Sequence, residues 1–269
     1  MDDVWAQGEA YERFMGRWSR RVAPLFLDWL DVPGRQRWAD VGCGSGALTA
    51  AILQQSSPAR VLALDPSEAQ VDEAVRRIHD PRVSFGVGTA ENLPARSFDA
   101  VVSGLVLNFV PDPMAAVSAM RRAAGVGTVA AYVWDYAEGM RMLRIFWDLA
   151  CSLDPAAAEL HEGHRFQLAA PEVLLRLWTD AAIGDVEATS LTVSTQFEDF
   201  DDFWSPFLGG QGPAATYVAS LDETARENLR AVLERELPAD ADGTIRLGAR
   251  AWAVRGKASD RVAPASSSG

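Results

Sequence analysis

The chain is poor in the residues that build metal and disulfide scaffolds. Of its 269 residues only two are cysteine, Cys43 and Cys151, and only three are histidine. Two cysteines give no disulfide framework, and no Cys-x-x-Cys or Cys/His spacing marks structural zinc. Basic charge is also scarce: 25 Lys and Arg against 37 Asp and Glu leave a net charge of −12. Nucleic acid and anionic membrane both favour basic surfaces, so neither is an expected partner. Long apolar runs are missing as well. The longest, Ala123 to Trp134, is short and broken by Gly125 and Gly127, which excludes it as a bilayer span. The N-terminus, Met1-Asp2-Asp3-Val4-Trp5, is acidic and lacks an apolar signal region, so a cytoplasmic protein with reduced thiols is expected. Residues 258–269, rich in Ala, Ser and Pro, read as a disordered tail.

What is present is ordinary globular composition, 48% apolar and 23% charged, on a chain long enough for one large domain or one and a half. Short apolar runs alternate with helical patterns. Arg37–Val41, Arg60–Asp65, Val83–Val87, Phe98–Ser103 and Gly127–Trp134 read as strands. Ala47–Leu53, Ser67–Ile78 and Met114–Ala124 read as helices, with Ser67 a cap for the second and Pro111-Asp112-Pro113 the entry to the third. Near-continuous apolar strands separated by helices predict a parallel, doubly wound α/β sheet with its ligand crevice at the carboxyl ends of the strands. The second half is less regular. Arg141–Leu149 and Pro171–Ala182 read as helices, Val186–Val193 and Thr244–Val254 as alternating strands, and Ser220–Leu237 as a helix opened by a Ser220/Glu223 capping box.

The segment richest in chemistry is Asp40-Val41-Gly42-Cys43-Gly44-Ser45-Gly46. Its glycines permit a tight turn after the first strand, close to a ligand, with a helix N-terminus following. Gly42, Gly44 and Ala47 also satisfy a dinucleotide-type G-x-G-x-x-A. Asp40, however, sets an acid against the loop, which suits an ammonium better than a diphosphate. Asp65 ends the second strand, where a carboxylate accepts ribose hydroxyls. Thr89-Ala90-Glu91-Asn92-Leu93-Pro94 precedes the fourth strand, in place to border an adenine.

Taken together, Trp38 to Gly46, Leu64-Asp65-Pro66-Ser67, Ala90 to Pro94 and Ser97-Phe98-Asp99 resemble the class I S-adenosylmethionine-dependent methyltransferases, in particular the small-molecule group of the ubiquinone/menaquinone-biosynthesis type. The resemblance covers about Tyr11 to Trp134. It implies a Rossmann-like sheet over 36–257, N-terminal lid helices over 1–35, and a substrate-side insertion over 197–242. It places Asp40, Gly42, Gly44 and Gly46 on the methionine part of S-adenosylmethionine, Asp65 and Pro66 on the ribose, Thr89, Ala90 and Glu91 on the adenine side, and Ser103 with Gly104 beneath the sulfonium. Tyr11 to Trp18 resembles the family's lid helix. One position departs from the family: the His often found after the fourth strand is here Asn108.

Methyl transfer needs alignment first and a base only where the acceptor keeps its proton. Asp135 and Tyr136, just past the fifth strand, are the candidate catalytic residues, beside the plainer reading of a loop acid and a packing aromatic. Glu138, His161 and His164 lie further on. His161-Glu162-Gly163-His164 lacks the spacing of a zinc helix, and no metal is expected. Phe197, Phe200, Phe203, Trp204 and Phe207 fall on one face of a short helix, either packed on the sheet or walling a hydrophobic acceptor, with Gly209 to Gly212 as a hinge. The expected activity is methyl transfer to a small hydrophobic or aromatic acceptor. A non-catalytic S-adenosylmethionine-binding protein and a nicotinamide or flavin oxidoreductase are the alternatives. Asn108-Phe109-Val110-Pro111 is not the Asn/Asp-Pro-Pro-aromatic signature of nucleic-acid amino-methylating enzymes.

Overall fold

The computed structural model describes residues 16–161, 163, 166, 168–209 and 212–259. Tyr11, Glu162, His164, Gly210, Gln211 and the tail from 260 onward lie outside the described residues, and with them most of the lid segment, part of the hinge and most of the tail.

Seven strands form one sheet in the order β3-β2-β1-β4-β5-β7-β6: β1 Arg37–Val41, β2 Arg60–Asp65, β3 Val83–Val87, β4 Ala100–Gly104, β5 Thr128–Trp134, β6 Gly184–Phe197 and β7 Ile245–Lys257. The pairs β1·β2, β1·β4, β2·β3 and β4·β5 are parallel, with Ala39 opposite both Leu62 and Val101. Between these strands run α2 Ala47–Gln55, α3 Glu68–Arg77 and α4 Pro113–Ala124, following α1 Arg17–Leu30. The crossover helices are what a parallel arrangement requires. β7 turns back against β5: Ala258 N–H reaches the Gly127 carbonyl and Asp135 N–H the Arg250 carbonyl. The doubly wound α/β expectation holds, with an antiparallel addition at one edge.

The chain divides into two compact units. One comprises Ala23–Val133, Ala170–Thr189 and Trp252–Gly269. Within it, Thr128 to Val133 of β5 are all buried, as are Ala100, Val101 and Val102 of β4. From α6 (Pro171–Asp180), the Trp178 indole donates to the Val129 carbonyl at 3.0 Å. At the amino ends of β1 and β4, Arg37 grips Asp99 with both prongs of its guanidinium, at 3.1 and 2.8 Å, and with its own N–H at 2.9 Å. That makes Asp99 an orienting residue at the strand start.

The other unit comprises Met1–Val22, Trp134–Ala169 and Ser190–Ala251. It holds α5 Arg141–Leu153, α7 Phe200–Trp204, α8 Gly212–Ser220 and α9 Glu223–Glu236. The aromatic segment does not make one helix face. Phe197 is the last residue of β6, and only Phe200 to Trp204 is α-helical before a 3-10 turn over Ser205–Leu208. Phe197, Phe203 and Phe207 are wholly buried, and Phe207 stacks on Phe146 of α5 at 4.5 Å between ring centres. These rings are core of this unit.

Two helix starts test the cap readings. Ser67 caps α3, its hydroxyl accepting from Gln70 N–H. The Ser220/Glu223 capping box does not form. Ser220 ends α8 and donates to the Tyr217 carbonyl, while Asp222 caps α9 by accepting from Ala225 N–H at 2.8 Å. A carboxylate one residue before the helix is the stronger acceptor for its free N–H groups. Asp222→Ala is expected to cost about 1 kcal/mol in a urea unfolding midpoint. Ser220→Ala costs less, and equal losses from the two would reverse the assignment.

Candidate functional site

β1 ends because Gly42 turns left-handed, at φ +71°, and its N–H and that of Cys43 both close on the Leu64 carbonyl, at 2.7 and 3.0 Å. Only glycine enters such a turn without strain. Packing adds a second reason: a Cβ on Gly42 would lie 2.6 Å from both methyls of Val106. Gly46, at φ +90°, is closed in the same way by Ile78. Gly44, at φ +52°, has open space on that side, with Gln70 Oε1 nearest at 3.9 Å.

Two acids are buried around this turn. The Asp65 carboxylate accepts Gly44 N–H on Oδ2 and Ser67 N–H on Oδ1, both at 2.9 Å. Burial raises its pKa, against the pull of those two N–H donors. Asp40, 1% exposed, accepts the Thr49 hydroxyl on Oδ2 at 2.6 Å. Its Oδ1 has no partner. Burial pushes Asp40 up to about 7; the Thr49 bond opposes this, and the charge of Asp65 adds to it. Between them Cys43 is buried, and burial holds its thiol protonated, as befits a small loop filler rather than a nucleophile.

The remaining expected positions among the described residues fall along the carboxyl ends of β2, β3 and β4. Pro66 is exposed next to Asp65. Thr89 is exposed and donates its hydroxyl to Glu91, which lowers the Glu91 pKa; Ala90 beside them is buried. Ser103 is buried with an unpartnered hydroxyl, and Asn108 Oδ1 is likewise buried and unpartnered. Gly104 lies so close to the Tyr132 ring that a Cβ would fall 2.7 Å from its hydroxyl oxygen. Leu105 follows in a left-handed conformation, φ +65°, rare for a bulky residue.

Asp135 and Tyr136 belong to the other unit and are described within it. Asp135 is buried and bound on both oxygens: Oδ2 by the Arg250 guanidinium at 2.8 and 2.6 Å, Oδ1 by Glu138 N–H at 3.0 Å. The geometry thus gives Asp135 an anchoring part. Tyr136 is buried with its ring 4.7 Å from Phe166. His161 stacks on Trp147 and accepts Gly163 N–H on Nδ1 at 2.9 Å. Thr49, Gln70, Val106 and Tyr132 were not singled out in the sequence. Only Gln70 carried a signal, three residues after a serine cap.

A family model described as "Methyltransferase domain" matches residues 39–131. Over 117 residues the chain is 35% identical to a ubiquinone biosynthesis O-methyltransferase of Hahella chejuensis, covering 39% of this chain and 47% of that protein. It is 29% identical over 137 residues to a rice 2-methyl-6-phytyl-1,4-hydroquinone methyltransferase, covering 50% and 39%. The chain thus spans less than half the length of these curated relatives. In fold it is similar to a Haemonchus contortus phosphoethanolamine N-methyltransferase solved with phosphomonomethylethanolamine and S-adenosylhomocysteine, with a TM-score of 0.56 at 19% identity over 93% of this chain and 56% of that one. Residues 39–131 thus match a methyltransferase domain, and the cofactor that such a domain implies is S-adenosylmethionine.

The residues present fit that cofactor. Four buried oxygens without partners, on Asp40, Gln70, Ser103 and Asn108, are all acceptors or, for Ser103, a hydroxyl. Buried acceptors demand donors, and an ammonium, a ribose diol and an exocyclic amine supply them.

Because the Asp40 pKa is raised in the folded chain, its charge opposes folding, and stability falls as pH rises from about 4 to about 7. Asp40→Asn is expected to flatten that fall in urea unfolding across the same window. An unchanged slope would mean that Asp40 ionises freely.

Proposed function

We propose that this chain transfers a methyl group from S-adenosylmethionine to a small hydrophobic or aromatic acceptor. The observation that carries the reading is the glycine turn set between two buried carboxylates, with the N–H groups of Gly42, Cys43, Gly44 and Gly46 already spent. Gly42 and Cys43 give theirs to Leu64, Gly44 to Asp65 and Gly46 to the Cys43 carbonyl. A dinucleotide turn keeps such donors for a diphosphate. This one offers acid instead, so the observation weighs against a nicotinamide or flavin oxidoreductase.

In this reading Asp65 takes the ribose hydroxyls, next to Pro66. Asp40 faces the amino-acid end through the turn of Gly42, Gly44 and Gly46. Thr89, Ala90 and Glu91 border the adenine, and Ser103 lies beneath the sulfonium. When bound, the cofactor supplies a methyl on a positively charged sulfur, which leaves as a neutral thioether. The protein's task is then alignment, which contributes roughly 7–11 kcal/mol in well-oriented reactions. Asp135, paired with Arg250, is assigned an anchoring part. The hydrophobic acceptor rests on the quinone-type names of the two curated relatives.

Isothermal titration with S-adenosylmethionine and with NAD tests the reading. The expected result is uptake of the first alone, weakened about tenfold or more by Asp65→Ala, as loss of charged hydrogen bonds implies. Undiminished affinity in a folded Asp65→Ala chain overturns the assigned geometry. Formation of S-adenosylhomocysteine with an added phenol or hydroquinone then separates the enzyme from a protein that only binds.

A further inference from the structure

We infer that Gln70 is a second ribose-holding residue, sharing the sugar's adjacent hydroxyls with Asp65 and so setting how tightly the cofactor is held. The inference rests on the cofactor reading above.

Gln70 stands at the third position of α3, after the Ser67 cap. Ser-x-x-Gln is a capping-box spacing, in which the glutamine carbonyl accepts the N–H of the capping serine. That bond is not made. The Ser67 N–H goes to Asp65 Oδ1 at 2.9 Å, leaving Gln70 Oε1 buried without a partner. Gln70 as a whole is 9% exposed, so bulk water does not serve this oxygen. An amide oxygen in that state costs free energy unless a ligand or an ordered water brings a donor.

The oxygen also faces the right place. It is the nearest atom to the open side of Gly44, 3.9 Å from where a Cβ would be, and Gly44 N–H is itself bonded to Asp65 Oδ2. Asp65 and Gln70 therefore flank one glycine. Each Asp65 oxygen already accepts one backbone N–H. Taking both hydroxyls of a vicinal diol would load that single carboxylate with four donors. A neighbouring acceptor with none relieves the crowding. The side chain that fails to close its own helix cap is thereby available to a ligand.

Calorimetric titration of the whole chain with S-adenosylhomocysteine and its 2′-deoxy and 3′-deoxy ribose analogues tests this, with Gln70→Met and Gln70→Glu as variants. Wild type is expected to lose about tenfold in affinity when one of the two hydroxyls is removed. Gln70→Met binds S-adenosylhomocysteine about tenfold more weakly and loses nothing further on removal of that same hydroxyl. Gln70→Glu, which keeps the acceptor, retains the penalty. A role confined to the helix start moves the melting temperature of Gln70→Met but leaves its hydroxyl penalty at the wild-type value, and that result overturns the inference. Gln70→Leu replaces Gln70→Met if the latter does not fold. Wild type that binds S-adenosylhomocysteine with equal affinity to both analogues overturns the inference while sparing the cofactor reading. Wild type that binds none of the three overturns both.

Discussion

The site depends on keeping two carboxylates, Asp40 and Asp65, buried within reach of each other's charge. Each is costly alone, because desolvation favours the neutral acid. The chain offsets the cost differently for the two. Asp65 is held by N–H groups from Gly44 and Ser67, one on each oxygen. Asp40 has only the Thr49 hydroxyl, on one oxygen. Burial raises both pKa values, but at Asp65 two backbone donors oppose it, whereas Asp40 is pushed up to about 7. In the proposed reading, an ammonium or sulfonium beside Asp40 favours its ionised form.

The glycine turn follows from the same constraint. To bring Gly44 N–H onto Asp65, the backbone must leave β1 through left-handed conformations, and Val106 and Ile78 crowd two of the three glycines from outside. The turn is consequently fixed by both conformation and packing. On the next loop, Leu105 accepts the strain of a left-handed bend that a glycine would have made without cost, and its N–H is tied to the Tyr132 carbonyl at 2.7 Å. Buried Leu105 exchanges backbone ease for apolar contact, keeping the end of β4 in one shape.

How much of this was legible varies with the range of the interactions. β1 and β2 fall on their sequence-read boundaries because buried parallel strands are continuous apolar runs with turn residues at each end; β3, which has no buried residue, also falls on its boundaries. β6 and β7 extend further than their alternation suggested, since their outer residues are not distinguished by hydrophobicity. Ser220 was misleading because a better cap, Asp222, stood two residues on. Phe197 matched the helical spacing of its neighbours yet belongs to a strand, since spacing alone does not say where a strand stops. The positions of Asp40, Asp65 and the glycines were readable from the motif. The partner of Asp135 was not: Arg250 is 115 residues away, and nothing local to either announces the pair.

The complete burial of β5 has a practical consequence. Amide hydrogens between Thr128 and Val133 are shielded from water on every residue, so they exchange with deuterium only when the unit opens as a whole. That strand is therefore a built-in gauge of global stability. Slowing of its exchange by a small molecule reports binding to the folded chain in proportion to occupancy, whatever that molecule is.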